Sequence, residues 1–400
     1  MDASQSPSFF AALPELAVQF GTPTYAYDWA TLRERATTLR AAFPDAQVRY
    51  AIKANPNVNL LERLKSEFEF GFDAVSGGEV HRALYAGTPG PDIVLNGPGK
   101  LTADFALAHE VQATLVLDSH DEVHRAARHA PGARVLIRVN PELQVGTHDH
   151  LATGNGSAKF GVLLKDVPEV YLKARKVGLN VIGLHVHIGS SIDNPEDFTQ
   201  AFAKIQNLAS SVGPVEVLDI GGGFGLTLDL HALGQKATRL AQAFQAELWI
   251  EPGRYLVADA GILLTRIVGL KRTHRPFVIC DASMTELLRP MLYGSRHAVL
   301  PLRERHAPPS VWDLAGSACE AGDVLARDIT LHEPVEGDLL VIAQAGAYGA
   351  SMASNYLTRL RPAEAVWDGV QWVQWRRRDI LSDLLAAELA AAPAVGAHHD

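Results

Sequence analysis

A lysine, a histidine and a glutamate each stand at the end of a short apolar run in this 400-residue chain. Lys53 closes Tyr50-Ala51-Ile52-Lys53-Ala54-Asn55. An amine beside apolar neighbours is placed to lose its charge by desolvation and act as a nucleophile suited to a Schiff base; the alternative is a lysine that snorkels to the surface. His187 closes His185-Val186-His187-Ile188-Gly189-Ser190. Two residues apart on a strand, the histidines point the same way. A zinc pair is one reading, but no Cys or acidic third ligand lies nearby in sequence, so no metal is expected. The other reading is a flat imidazole packed on a flat cofactor, with a Gly-Ser turn at Ser190 offering N–H and hydroxyl to an anion, and His185 a satisfied core residue. The run Asp219-Ile220-Gly221-Gly222-Gly223-Phe224-Gly225 is either a plain tight turn or an anion site built from successive backbone N–H groups. In Glu251-Pro252-Gly253-Arg254, a carboxylate able to keep a pyridine nitrogen protonated stands beside an arginine suited to a phosphate or carboxylate; a structural ion pair is the bland reading.

One architecture would gather these residues. Short β-branched or aromatic runs recur at 48–52, 71–75, 92–95, 114–117, 134–139, 181–187, 215–220 and 247–250, and the segments between them carry apolar residues at helical spacing, such as Leu60, Leu61, Leu64 and Phe68. Eight such alternations predict a (β/α)8 TIM barrel, whose reactive groups converge at the C-terminal ends of the strands. Those ends are Lys53, Asp73, Asn96, Asp118, Asn140, His187, the glycines 221–223 and Glu251. An open doubly wound sheet is the runner-up, but its Gly-rich first turn has no counterpart after residue 53. Beyond residue 260 helical periodicity fades and short strands alternate with turn signals at 261–271, 277–280, 328–331 and 338–343, which predicts a second, mainly β C-terminal domain, a sandwich or barrel. The expected division is 25–260 for the barrel, 1–24 plus 261–385 for the β domain, and a disordered tail over 386–400; the strand at 24–28 could belong to either domain.

Composition narrows the partners. Hydrophobic residues make up 47% and charged residues 20%, which excludes disorder, collagen and coiled coil. The net charge of −9 offers no basic surface to a nucleic acid. Cys280 and Cys319 are too few for a disulfide framework, the N-terminus lacks the pattern of a secretory signal, and no apolar run would span a bilayer, so a cytoplasmic, membrane-free protein is expected. A nucleophilic lysine, a phosphate cradle, a stacking imidazole and a carboxylate for a ring nitrogen are together the parts needed to hold pyridoxal 5'-phosphate.

At these residues the sequence resembles the fold-type-III pyridoxal-phosphate decarboxylase family, and within it the diaminopimelate decarboxylases, from about residue 22 to residue 376. Tyr-Ala-Ile-Lys53-Ala-Asn looks like the family's cofactor-lysine motif, and Asp73-Ala-Val-Ser76-Gly-Gly-Glu79 is similar to the segment that follows it. Gly146-Thr147-His148 through Lys159-Phe160-Gly161 resembles an insertion typical of the diaminopimelate enzymes. Three further stretches match in order: Asp281 to Tyr293 around Arg289, Cys319-Glu320-Ala321-Gly322-Asp323, and Gly346-Ala-Tyr348-Gly349 through Asn355-Tyr356 to Glu364. The resemblance implies that Lys53 bonds the cofactor, His187 stacks on its ring and Glu251 pairs with the ring nitrogen. It places Ser190, Gly222, Gly223, Gly253, Arg254 and Tyr348 around the phosphate, and Arg254, Arg289, Tyr293, Glu320 and Tyr348 on the substrate. Cys319 would be the proton donor, and in relatives Cys319 and Glu320 act from the second subunit of a homodimer.

The implied reaction is decarboxylation of meso-2,6-diaminopimelate to L-lysine, the last step of lysine biosynthesis. Its far end carries both an ammonium and a carboxylate, which Glu320 and Arg289 would meet; ornithine would leave a buried arginine unpaired. The alternatives are a decarboxylase of carboxynorspermidine, arginine or ornithine, and a non-catalytic cofactor-binding homologue. Ala321 stands where relatives commonly have Ser, Leu357 where Asn is usual and Ser283 where Gly is commoner. The segment 146–157, rich in Gly, His and Thr, is a candidate lid.

Overall fold

A computed structural model describes residues 5–143, 158–209, 211–303 and 305–391. The candidate lid at 146–157, which is the larger part of the insertion 146–161, and residues 392–400 of the expected tail lie outside the described residues. Packing divides the chain into two compact units, Met1–Thr31 with Asp259–Asp400, and Leu32–Ala258.

The strands in chain order are β1 (Thr24–Asp28), β2 (Gln47–Ala51), β3 (Gly71–Ala74), β4 (Ile93–Leu95), β5 (Thr114–Leu117), β6 (Arg134–Asn140), β7 (Val162–Leu163), β8 (Asn180–Val186), β9 (Val217–Asp219) and β10 (Glu247–Ile250). Pairing runs β2-β3-β4-β5-β6-β8-β9-β10 and closes back onto β2, every pair parallel: the expected eight-stranded barrel, with β7 a short addition beside β6. Its lower interior is apolar, formed by Val94, Val116, Leu136, Ile182, Val217 and Trp249, and Arg49 stacks over the Trp249 ring at 3.7 Å. One turn higher, the inward positions become Asp73, Asn96, Asp118, Arg138, His185, Asp219 and Glu251, all buried. Because side chains alternate across a strand, a polar layer at this level feeds directly into the mouth.

The other unit continues with β11 (Gly261–Lys271), β12 (Phe277–Cys280), β13 (Val299–Pro301), β14 (Pro309–Ala315), β15 (Val324–His332), β16 (Leu339–Ile342), β17 (Ala363–Trp367) and β18 (Trp372–Arg376). They form one sheet in the order β15-β14-β12-β11-β1-β17-β18, with β16 bridging β11 and β13. The helix Pro7–Phe20 lays Phe9, Leu13 and Leu16 on this sheet against Ile262, Leu264, Ala365 and Trp372.

Two boundaries differ from expectation. Thr24–Asp28, assigned to the barrel by a boundary at residue 25, pairs antiparallel with β11 and parallel with β17. It is buried along its whole length, so only partners on both sides satisfy its backbone. At the other end, order runs beyond residue 385: the Ala- and Leu-rich segment forms the helix Leu381–Ala391. Asp383 caps it, accepting from the Ile380 N–H at 2.9 Å while pairing with Arg377 at 2.6 Å.

Candidate active site

Lys53 lies in the turn Ile52–Ala54 that follows β2. Its Nζ is 2.8 Å from Asp73 Oδ2, and its side chain is 38% exposed. This corrects the expectation of an amine desolvated by apolar neighbours: a fully buried carboxylate on the adjacent strand holds it. Burial, and then the charge of Glu251, raise the Asp73 carboxyl, with Lys53 opposing them.

Glu251, just past β10, is buried and receives donors on both oxygens. His185 Nε2 is 3.1 Å from Oε2, and Asn96 Nδ2 lies 3.3 and 3.5 Å from Oε1 and Oε2. Burial pushes this carboxyl up, but His185, followed by Lys53, outweighs it and holds the group at about 2. The carboxylate is therefore ionised at neutral pH.

His187 is neutral: burial, then the positive charges of Arg138 and Lys53, hold its imidazole well below the ordinary value. Its Nδ1 accepts from the Gly222 N–H at 3.2 Å, which leaves the hydrogen on Nε2. The glycine run has a steric cause. Gly221 and Gly223 have φ of 67° and 89°, and a Cβ on Gly222 or Gly223 would stand 2.0 Å from the Glu251 carbonyl oxygen or 2.2 Å from that of Gly189. The loop therefore packs between the ends of β8 and β10 as only glycine allows. Arg254, at the start of a short helix after Gly253, reaches Ser190 Oγ with Nη2 at 3.4 Å. Lys53, His187, Ser190, Gly222, Gly223, Glu251, Gly253 and Arg254 thus all lie on the strand-end loops of one barrel.

A cluster that could hold a metal ion also forms here: His185, Asp219 and Glu251 each offer an atom within 4.8 Å of the others. Carboxylates distant in sequence supply what the sequence around His185 lacks, so the reasoning against metal from local sequence does not hold for His185. In this structure His185 and Glu251 bond each other directly, and Asp219 Oδ1 takes the Gly221 N–H at 2.7 Å.

The remaining residues belong to the β unit. Arg289 begins the helix Arg289–Tyr293, with Nη1 3.4 Å from His297 Nε2 and Nη2 3.3 Å from Ser295 Oγ. His297 Nδ1 is 2.9 Å from the Ala343 carbonyl; donating there, it leaves Nε2 as the acceptor for the guanidinium. Cys319 and Glu320 are exposed, and Tyr356 donates its hydroxyl hydrogen to Glu320 Oε1. Their loop is shaped by buried Asp323, which accepts from the Met284 N–H at 2.7 Å and the Ala318 N–H at 2.9 Å. Tyr293 and Tyr348 are half-buried, and Tyr348 has φ 58°, a left-handed strain typical of functional positions. Of the departures, Ser283 is buried and bonded to Thr285 and Glu286, and Ala321 is exposed. Leu357 adopts φ 59°, ψ 23°, a conformation that Asn tolerates and Leu does not, so the family's usual Asn has a backbone reason.

Sequence reasoning passed over Asp73, Asn96 and Asp219 as functional groups, although each closes a barrel strand as Lys53 and Glu251 do. His297 carried no signal, and Tyr356 stood only within a matching stretch with no role given to it, because only folding brings them to Arg289 and Glu320.

An amine, a neutral imidazole, an ionised buried carboxylate and a serine–arginine pair suit pyridoxal phosphate: an aldehyde, a flat ring, a basic ring nitrogen and a phosphate. The barrel is thus that of a pyridoxal-phosphate decarboxylase, and the model of the family described as pyridoxal-dependent decarboxylase, pyridoxal binding domain, matches residues 29–258. A diaminopimelate decarboxylase of Deinococcus radiodurans is 50% identical over 378 residues, spanning 94% of this chain and 98% of the relative. One of Methanothermobacter thermautotrophicus is 38% identical, spanning 94% and 93%. The crystal structure of Helicobacter pylori diaminopimelate decarboxylase complexed with L-lysine superposes with a TM-score of 0.90 at 32% identity, covering 95% of this chain and 100% of that one. The chain belongs to the diaminopimelate decarboxylase family.

Proposed function

We propose that this protein decarboxylates meso-2,6-diaminopimelate to L-lysine and carbon dioxide, as a cytoplasmic homodimer in which Cys319 and Glu320 of one subunit act in the partner's active site. The observation that carries the reading is the Lys53, His187 and Glu251 constellation at the barrel mouth, with Glu251 ionised and held by two donors. Bound pyridoxal phosphate supplies the electron sink for the carbon–carbon bond that breaks.

The chain's own residues do the rest. Lys53 Nζ would hold the cofactor aldehyde covalently, with Asp73 beside it as the ion-pair partner of the free ammonium. Glu251 would keep a proton on the ring nitrogen, which an ionised carboxylate in a buried site does strongly. His187, uncharged, would pack on the ring without competing for that proton. Ser190, Gly222, Gly223, Gly253, Arg254 and Tyr348 hold the phosphate. Arg289 and Glu320 meet the carboxylate and ammonium at the far end of the substrate, with Tyr293, Arg254 and Tyr348 around it. The Cys319 thiol delivers the proton that replaces carbon dioxide. No helix among the described residues is long and apolar enough to cross a membrane.

The test is carbon dioxide release with added pyridoxal phosphate from meso-diaminopimelate, ornithine, arginine, lysine and carboxynorspermidine. Release from meso-diaminopimelate alone, lost in Lys53→Ala, is the expected result; turnover of another substrate refutes the roles given to Arg289 and Glu320. Mixing Lys53→Ala with Cys319→Ala subunits should restore about a quarter of the activity if sites are shared, and none if each subunit is self-sufficient.

A further inference from the structure

His185 has no role in the chemistry above, yet it occupies a costly position. It is wholly buried on β8, two residues before His187 and therefore one layer deeper on the same inward face. The layer below it is filled by Val94, Val116, Leu136, Ile182, Val217 and Trp249. Its Nε2 is 3.1 Å from Glu251 Oε2, while its Nδ1 is buried with no hydrogen-bond partner among the described residues. An imperfectly satisfied polar group in a barrel core calls for an explanation.

The geometry supplies one. His185 Nε2 faces a carboxylate oxygen that can only accept, so it carries a hydrogen and does not accept from Asn96 Nδ2 at 3.2 Å; both groups aim hydrogens at the same carboxylate. That carboxylate sits on a flexible side chain among Lys53, Asp73, His187 and Asp219, which face it from β2, β3, β8 and β9. Two of these are acids that favour its protonation. Lys53 would draw it sideways. His185 comes from a rigid strand, in register with Asp219 across β8 and β9, and fixes the oxygen from below.

We propose that His185 is the positioning residue of this site, clamping Glu251 so that its carboxylate stays aimed at the ring nitrogen of bound pyridoxal phosphate. The inference rests on the reading of Glu251 given above and extends it to a residue that touches neither substrate nor cofactor.

The test compares holoenzymes carrying His185→Leu, which keeps bulk and removes the donor, and His185→Gln, which restores an N–H at similar reach. Three quantities are read: kcat and KM, the dissociation constant of pyridoxal phosphate, and the pH titration of the bound cofactor's absorbance. His185→Leu should lower kcat about 100-fold with KM within threefold, and move the acid limb of the absorbance titration up by at least one pH unit. His185→Gln should recover most of both. If the Leu variant does not fold, His185→Asn, too short to reach Glu251, takes its place, and equal behaviour of the Asn and Gln variants overturns the proposal. An unmoved titration, or loss of thermal stability alone, also overturns it. Glu251→Gln separates the underlying reading: if that variant leaves the titration unchanged, Glu251 does not serve the cofactor and the fault lies there.

Discussion

Replacing Asp323 by Ala should uncouple the Cys319–Glu320 loop from the rest of the β unit. The Asp323 carboxyl is buried and accepts two short backbone bonds, from Met284 at 2.7 Å and Ala318 at 2.9 Å, one on each oxygen. A Cβ on Gly316 would lie 2.2 Å from Oδ2, so the loop is wrapped tightly around this group. A hydrogen bond to a charged acceptor contributes roughly 1.5–3 kcal/mol. Burial raises the Asp323 carboxyl and so offsets part of this; about 3 kcal/mol for the pair is a reasonable net figure. That corresponds to a roughly 100-fold fall in the ratio of ordered to disordered loop, at about 1.4 kcal/mol per factor of ten. The expected result for D323A is a kcat/KM lowered about 100-fold for meso-diaminopimelate, loss of amide-exchange protection at Met284 and Ala318, and pyridoxal phosphate affinity within threefold of the parent. D323N keeps one carbonyl acceptor and should lose about tenfold. A kcat/KM within threefold of the parent despite vanished exchange protection would refute this role for Asp323, as would a D323N variant as damaged as D323A.

Other expectations follow from single residues. Leu357→Asn relieves a left-handed backbone that costs roughly 1–2 kcal/mol for an ordinary residue. Asn buries less apolar surface than Leu, so the net gain should be about 0.5–1 kcal/mol, or about 2 °C in Tm by calorimetry, with activity unchanged. Asp219→Asn tests the buried acid. Burial, then the Glu251 charge, hold the Asp219 carboxyl well above its ordinary value, so the folded state keeps a proton that the unfolded chain releases. The stability this confers is complete below the unfolded value of about 3.9 and is lost as pH rises through the folded value. The Tm advantage of D219N over the parent should therefore grow from pH 4 to pH 8, and a constant difference would refute the assignment. His297→Leu removes the acceptor that aims Arg289 and should raise KM for meso-diaminopimelate about tenfold, with kcat changed less than threefold; equal losses in both parameters would point instead to a general disturbance.

Much of the barrel could be read from residue types alone. Parallel strands buried on both sides read as short apolar runs, and their C-terminal ends are where chemistry collects, so Lys53, His187 and Glu251 stood out together. The β unit was less legible. β14, β17 and β18 escaped notice because each is short and sets polar residues among its apolar ones, which leaves a weak local signal. β1 could not be given to one domain from the sequence because its partners, at Gly261–Lys271 and Ala363–Trp367, lie far along the chain.

Sequence by itself determined the fold class and the cofactor, and it brought Lys53, His187 and Glu251 forward as candidate groups, since each stands at the end of a periodic run. Tertiary structure alone decided their electrostatic state. Lys53 faces a carboxylate rather than an apolar wall; His185, from a strand 66 residues before Glu251, clamps it; and His297 and Asp323 aim Arg289 and shape the Cys319 loop. Charge and orientation depend on distances of a few ångströms between groups remote in sequence, and those distances exist only once the strands close.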